Sequence, residues 1–390
     1  MRSEIATNGC HRTSGVQPRA GQGTVRIAIV GPAHPYKGGS AQHTTMLAHR
    51  LSDGGHKVTL LTWRGQYPKR LYPGQLTVDE PEVELFPDTE WPLAWYRPDG
   101  WWRTGKRIAA MRCDAVLLAI FTSFQVPAYL TLAKAARSGG CKIVAVVHNV
   151  LPHEPRRFDE PAMKALLRRM DAVVVHSKEE AALAAGLSST PLEIAALPPH
   201  LPHAEAEVRA PAGETRLHKR LLFFGMVRQY KGLDILIRAL AETKPDVSLT
   251  VAGEIWDGRE ELTQLISELR LGNRVTLRDG YVPAEEVPSV FAAADALVLP
   301  YRSGTASQNA LIAHQFGLPV IATRAGAIAD AVVDGVDGLL CTPEDVADLA
   351  RAINTLYEPG VLDRLLQGVH PPQTAEAWDA YVAAVEKAIS

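Results

Sequence analysis

Four short stretches of this chain place phosphate-binding or hydroxyl-binding residue types beside glycines. Gly31-Pro-Ala-His-Pro-Tyr-Lys-Gly-Gly-Ser40 follows the β-branched run Val25–Val30 and precedes a helical pattern. Gly38 and Gly39 let backbone approach an anion, and the helix start behind them, from Ser40, offers unpaired N–H groups and the positive dipole end. The spacing is not the G-x-G-x-x-G fingerprint, and a double glycine serves equally well as a tight turn. In Phe224-Gly-Met-Val-Arg-Gln-Tyr-Lys-Gly-Leu-Asp234, Arg228 and Lys231 stand three apart, close behind Gly225. Arginine forks onto phosphate and lysine adds a point charge, the pair that a departing diphosphate needs as its negative charge grows. A solvated basic turn is the plainer alternative. Pro300-Tyr-Arg-Ser-Gly-Thr-Ala-Ser-Gln-Asn309 gathers Thr305, Ser307, Gln308 and Asn309 at a helix start. It suits sugar hydroxyls or phosphate, or simply caps the helix. His148-Asn149 closes the apolar run Lys142–Val147 and would point into a cleft between two domains, unless His148 is an ordinary core histidine.

These stretches need strands to end where they begin. Short apolar runs alternate with helical patterns: Lys57–Trp63, Ala115–Ile120, Lys142–Val147 and Ala172–His176 in the first half, then Arg220–Gly225, Ser248–Ala252, Val275–Leu277, Ala296–Leu299 and Pro319–Ala322. Continuous apolar strands between helices predict parallel sheets covered on both faces, which bind ligands beyond the strands' carboxyl ends. The rhythm breaks over 198–218, rich in Pro, Ala and charge. The reading is therefore α/β with two doubly wound Rossmann-like units: a disordered leader at 1–24, a first domain at 25–200 joined by a C-terminal helix within 373–390, and a second domain at 218–372.

Composition narrows the classes. The chain has 390 residues, 46% hydrophobic, with a formal charge of −2, which argues against general nucleic-acid binding. No apolar run reaches the roughly 18–20 residues of a membrane span, and the first 24 residues lack a secretory apolar core. Cys10, Cys113, Cys141 and Cys341 are scattered, which fits a reduced cytoplasmic protein. No Asp-x-Asp or metal-spaced His/Cys/Asp cluster occurs, so neither a metal nor another cofactor is expected. Trp91, Trp95, Tyr96, Trp101 and Trp102 crowd one segment that could stack on sugars or apolar acceptors, or pack on a core. Arg156, Arg157, Lys164, Arg168 and Arg169 surround an amphipathic helix, either a solvated face or a contact with an anionic membrane's inner face.

From about Val25 to the C-terminus the order of these motifs resembles the retaining GT-B glycosyltransferases that include glycogen and sucrose synthases. The likeness is densest in "LLFFGMVRQYKGLDILIRAL", "VAGE" and "RDGYVPAEEVPSVFAAADALVLPYRSGTASQNALIAHQFGLPVIATRAGAIADAVVDGVDGLL". The resemblance implies two Rossmann-like domains facing across a cleft, the first for the acceptor and the second for a nucleotide-diphosphate sugar. It implies that Gly38, Gly39 and Ser40 lie on the donor diphosphate, with Gly225 and Gly253 beside it and Arg228 and Lys231 holding it. Tyr281 and Val282 would touch the base, His148 the transferred sugar, and Thr305, Ser307, Gln308 and Asn309 the sugar or phosphate. Transfer to a glycan, lipid-linked or small-molecule acceptor would proceed by front-face displacement, without metal. Many members carry two glutamates eight apart in the third loop; the matching positions here are Gly304 and Ile312. That departure keeps two other readings open, a nucleotide-sugar epimerase and an inactive nucleotide-sugar-binding protein.

Overall fold

The computed structural model describes residues 23–68, 76–78, 81, 83–152, 156–200, 219–304 and 308–390. The expected leader falls almost wholly outside them, as do residues 201–218 of the Pro-rich break.

The first half runs β1 (Arg26–Val30), α1 (Gly39–Asp53), β2 (Lys57–Gly65), β3 (Thr89–Ala94), α2 (Pro98–Met111), β4 (Ala115–Ile120), α3 (Val126–Ala136), β5 (Lys142–Val147), α4 (Asp159–Leu167), β6 (Ala172–Val175), α5 (Lys178–Leu187) and β7 (Leu192–Ile194). Its strands form one parallel sheet in the order β3-β2-β1-β4-β5-β6-β7. The second half runs β8 (Arg220–Phe224), α6 (Leu233–Ala241), β9 (Ser248–Gly253), α7 (Arg259–Glu268), β10 (Val275–Asp279), α8 (Val287–Ala292), β11 (Ala296–Leu299), α9 (Gln308–Gln315), β12 (Val320–Thr323), β13 (Gly338–Cys341), α10 (Val346–Leu356) and α11 (Val361–Gly368). Its parallel sheet has the order β10-β9-β8-β11-β12-β13. The last helix, α12 (Thr374–Ile389), returns to the first sheet.

Every residue of β4 and β11 is buried, as strands with helices on both faces require. Strand β3 was not legible in the sequence. It contains Pro92, and it is the sheet's outer strand, the one place where a missing N–H costs no ladder bond on the open side. Strands β7 and β13 are also edge strands, of three and four residues, too short to show a pattern. The aromatic segment divides: Trp91 lies in β3, Trp95 and Tyr96 in the turn after it, and Trp101 and Trp102 in α2.

Helix α12 is fastened by large side chains. Trp378 is fully buried and its indole N–H donates to Pro199 O at 3.1 Å; Tyr381, Val385 and Ile389 join the same cluster. Glu386 meets His56 at 3.1 Å. In both sheets the strand order reverses beside the first strand, between β1 and β4 and between β8 and β11. Ligand crevices in open parallel sheets form at such points, and here the two face each other.

Candidate active site

The loop after β1 and the loops after β8, β9, β10 and β11 line a cavity of about 290 Å³ between the two sheets. From the first half it is walled by His34, Lys37, Gly38 and Gly39. From the second come Gly225, Lys231, Gly253, Glu254, Tyr281, Val282, Asn309 and Ile312. Helix α1 opens on this cavity through Gly38, whose φ of 100° lies where side chains are strained. Gly253 is required by closeness: a Cβ there would stand 2.1 Å from the Gly225 carbonyl oxygen. The two loop backbones touch at this point.

Lys231 closes a one-turn 3₁₀ segment, Gln229–Lys231. That turn is pinned to the loop after β11 by Arg302, whose backbone N–H donates to Tyr230 O and whose guanidinium bonds the Gln229 carbonyl and forks onto Asp234 at 2.7 and 3.0 Å. A fork of this kind fixes direction as well as distance. The Lys231 ammonium lies 5.5 Å from the centre of the Tyr301 ring. Burial lowers its pKa, and no carboxylate among the described residues offsets that cost. A lysine held at such a cost marks a place where an anion is expected. Asn309 donates to Phe224 O at 2.8 Å, which secures the start of α9 against the end of β8.

The sequence reading missed a second cation. Lys37 reaches across from the first half to Glu254 at 2.9 Å, its side chain nearly buried, and lies 4.4 Å over the Tyr281 ring. The signal was present, a lysine directly before Gly38-Gly39 and a glutamate directly after Gly253, but nothing in either loop alone shows that the two meet. His34 and His200 also line the wall.

Four of the expected residues lie off this cavity. Arg228 does not share the cavity with Lys231. It pairs with Asp257 at 2.9 Å, lies 5.5 Å over Trp256, and lines the neighbouring cleft instead. His148 does not face the cavity. It stacks on Phe121 at 4.1 Å and turns inward to a group with His43 and His176, while Asn149 lines the neighbouring cleft. Gln308 spends its side-chain amide on the passing chain, accepting from His200 N at 2.9 Å and donating to Pro198 O at 3.2 Å. Ser40 sits one residue into α1, off the cavity wall, its carbonyl accepting the Thr44 hydroxyl. Thr305 and Ser307 lie outside the described residues. Gly38, Gly39, Gly225, Gly253, Lys231, Tyr281, Val282 and Asn309 are all brought together.

At Gly304 a Cβ would fall 2.4 Å from Ile328 Cδ1, so no side chain fits there without moving the core. Ile312, buried, presents an apolar surface to the cavity. Among the described residues no group of three or more His, Cys, Asp or Glu is arranged to hold a metal ion.

The second cleft adjoins the first and is about 430 Å³. It lies between the loop after β4, the loop after β5 and the turn after β8.

Comparison with known proteins places this architecture. Residues 37–205 match the model of Glycosyltransferase Family 4, and residues 218–359 match that of Glycosyl transferases group 1. The chain belongs to the GT-B glycosyltransferases of this family. Among curated relatives, the D-inositol 3-phosphate glycosyltransferase of Arthrobacter is 34% identical over 41% of this chain and 38% of its own length. That of Acidothermus cellulolyticus is 27% identical over 89% of this chain and 84% of its own length. The chain thus spans little more than a third of the first relative and most of the second. Among solved structures, sucrose-phosphate synthase from Thermosynechococcus elongatus shares the fold with a TM-score of 0.71 at 19% identity, covering 93% of this chain and 98% of its own. Anabaena HepE, solved with UDP-glucose, does so at 0.68 and 20%, covering 94% and 98%.

Proposed function

We propose that this protein transfers a sugar from a nucleotide-diphosphate sugar to an acceptor hydroxyl, with retention at the anomeric carbon and without a bound metal. The observation that carries the reading is Lys231, an ammonium that no carboxylate among the described residues neutralises, in a glycine-walled cavity where both sheets reverse order. The diphosphate would lie between the Gly38-Gly39 backbone and Lys231, its base toward Tyr281 and Val282, its sugar toward the second cleft. Lys231 and Lys37 would take the charge that grows on the leaving phosphate, the part a divalent ion plays elsewhere. The acceptor oxygen attacks the anomeric carbon as the bond to the diphosphate breaks, and the proton passes to a leaving phosphate oxygen. Arg228 and Asn149 flank the path of that acceptor. HepE was solved with UDP-glucose, which makes uridine donors the first to try.

No helix among the described residues is long and apolar enough to cross a membrane. Cys113, Cys141 and Cys341 are buried free thiols, in keeping with a reducing, cytoplasmic setting. The exposed cations Arg156, Arg157, Arg168 and Arg169 around α4 would support peripheral contact with an anionic inner face.

The test is a panel of UDP-, GDP-, ADP- and dTDP-sugars, followed by thermal shift and product mass. At least one donor should stabilise the fold and, with an acceptor, yield a glycoside and free nucleotide diphosphate. A folded protein that binds none of them would sink the proposal. A second expectation concerns Glu254, whose carboxylate opposes an anion and occupies Lys37. Glu254→Gln should tighten UDP about tenfold, since a unit charge a few ångströms from an anion at an effective dielectric near 20 is worth on the order of a few kcal/mol. Titration calorimetry reads this, and UDP binding weakened tenfold would make Glu254 a ligand for donor hydroxyls instead.

A further inference from the structure

The second cleft is walled by ring systems: Phe121, Phe124 and Phe158 from the first half, Tyr230 and Trp256 from the second, and Tyr67 at its edge. Phe124 is 38% exposed and Phe158 56%, and both lie on this one cleft rather than scattered over the surface. Three of the six rings carry no polar atom. Tyr67 takes a hydrogen bond from Gln66 at 2.9 Å, and the Trp256 indole N–H is turned away to Glu254 at 3.2 Å.

Several of the polar groups around these rings are already bonded within the protein. The Ser123 hydroxyl bonds Asp159, whose other oxygen accepts the Arg156 N–H at 2.6 Å. The Thr122 hydroxyl accepts from Phe124 N at 3.3 Å, and Arg228 is held by Asp257. A site for a polyol or sugar phosphate must present converging donors and acceptors to each hydroxyl, because a hydroxyl buried without a partner costs binding. In this cleft the Thr122, Ser123 and Asp159 side chains are spent on bonds within the protein, and rings make up much of the remaining wall. Its volume falls within the about 300–1,000 Å³ that holds a drug-sized molecule. Phe121, stacked on His148, forms its rear wall. Further out, Phe124 continues into Tyr67 at 6.3 Å and Trp95 at 6.2 Å, and Trp95 into Tyr96 at 5.6 Å, a track of rings leading away from the site.

We propose that the acceptor carries its reacting hydroxyl on a planar or polycyclic apolar skeleton, held against the exposed rings of Phe124 and Phe158. This rests on the glycosyl-transfer reading for its chemistry: the acceptor oxygen bonds the anomeric carbon, the bond to the diphosphate breaks, and the proton leaves on the diphosphate. Its binding test is independent of that reading. With the full chain and 4-methylumbelliferone as probe, saturation-transfer NMR and titration should show saturable binding. Phe124→Ala and Phe158→Ala, both at exposed positions, should each weaken it at least fivefold. myo-Inositol 1-phosphate and methyl glucoside should bind weakly and be unmoved by either change. Ring binding indifferent to both variants, or tight inositol phosphate binding lost in Arg156→Gln, would overturn the proposal. UDP titration on the same samples reports the donor half: its failure would refute glycosyl transfer while leaving the ring-binding result to stand or fall on the variants.

Discussion

Lys231→Ala is expected to lower kcat/KM by at least a hundredfold while raising the melting temperature. The two effects have one cause. The ammonium is desolvated in the cavity; Tyr230 opposes that cost, Arg228 adds like charge nearby, and no carboxylate among the described residues offsets either. Taking it away relieves the native state. The same cation stands where charge would develop on a leaving diphosphate, and removing one preorganised electrostatic contact from a dry site costs about 2.7–4 kcal/mol of transition-state stabilisation. Arg228→Ala should cost less, about tenfold, and mainly in KM for the acceptor, because its guanidinium lies with Asp257 and Trp256 on the second cleft. Lys231→Met serves as a check on packing, since it keeps the stem and loses the charge. Steady-state kinetics and melting curves on the three variants decide it. Near-normal kcat/KM in Lys231→Ala, or a lower melting temperature in Lys231→Met, would remove Lys231 from the phosphate site.

The placement of Lys231 shows what the sequence could disclose. Two glycine-punctuated loops after apolar strands were enough to find the switch points, because a buried parallel strand declares itself by continuous apolar residues and the loop after it by glycine. The partners of those loops were not legible. Lys37 and Glu254 stand 217 residues apart and meet only because the sheets face each other. Arg228 and Lys231, three apart, look like one phosphate clamp, but the 3₁₀ turn between them and the nearby Asp257 carboxylate send them to different cavities. The edge strand β3 was hidden by Pro92, and the role of Gln308 by the crossing chain at Pro198–His200. Local pattern gives elements and loop ends; charge partners across a cleft are decided by tertiary placement.

Acidification from pH 7 to 5.5 is expected to lower the melting temperature of the first sheet's domain by about 10 °C or more. His43, His148, His176 and His200 converge from α1, the ends of β5 and β6 and the domain crossing, with ring centres 4.6–6.0 Å apart in the contacting pairs His43–His148, His43–His176, His43–His200 and His148–His176. Trp378 and Tyr381 of α12 close the group from the other side. Burial pushes His176 down to about 4 and His200 down to about 3, and holds His43 and His148 well below the ordinary range, with the neighbouring imidazoles adding to the effect. Two contacts oppose it without reversing it, the Ala195 carbonyl on His176 and Gln308 beside His200. The sign follows from linkage. Each folded pKa lies below the unfolded value of about 6.5, so the unfolded chain binds more protons in between, and stability is lost as pH falls through 6.5 toward 4. Four imidazoles neutral in the fold and free to ionise outside it cost about 1.2 kcal/mol each between pH 7 and 5.5. The sum of about 5 kcal/mol rivals the whole stability of many domains. His34, also lowered by burial, adds in the same direction. Most carboxylates titrate below this window, so a melting series from pH 7.5 to 5.5 isolates the histidines. His176→Asn can keep the bond to the Ala195 carbonyl without ionising and should remove about a quarter of the shift. A melting temperature that holds constant across the series would mean that the four imidazoles reach protons or partners in the native state.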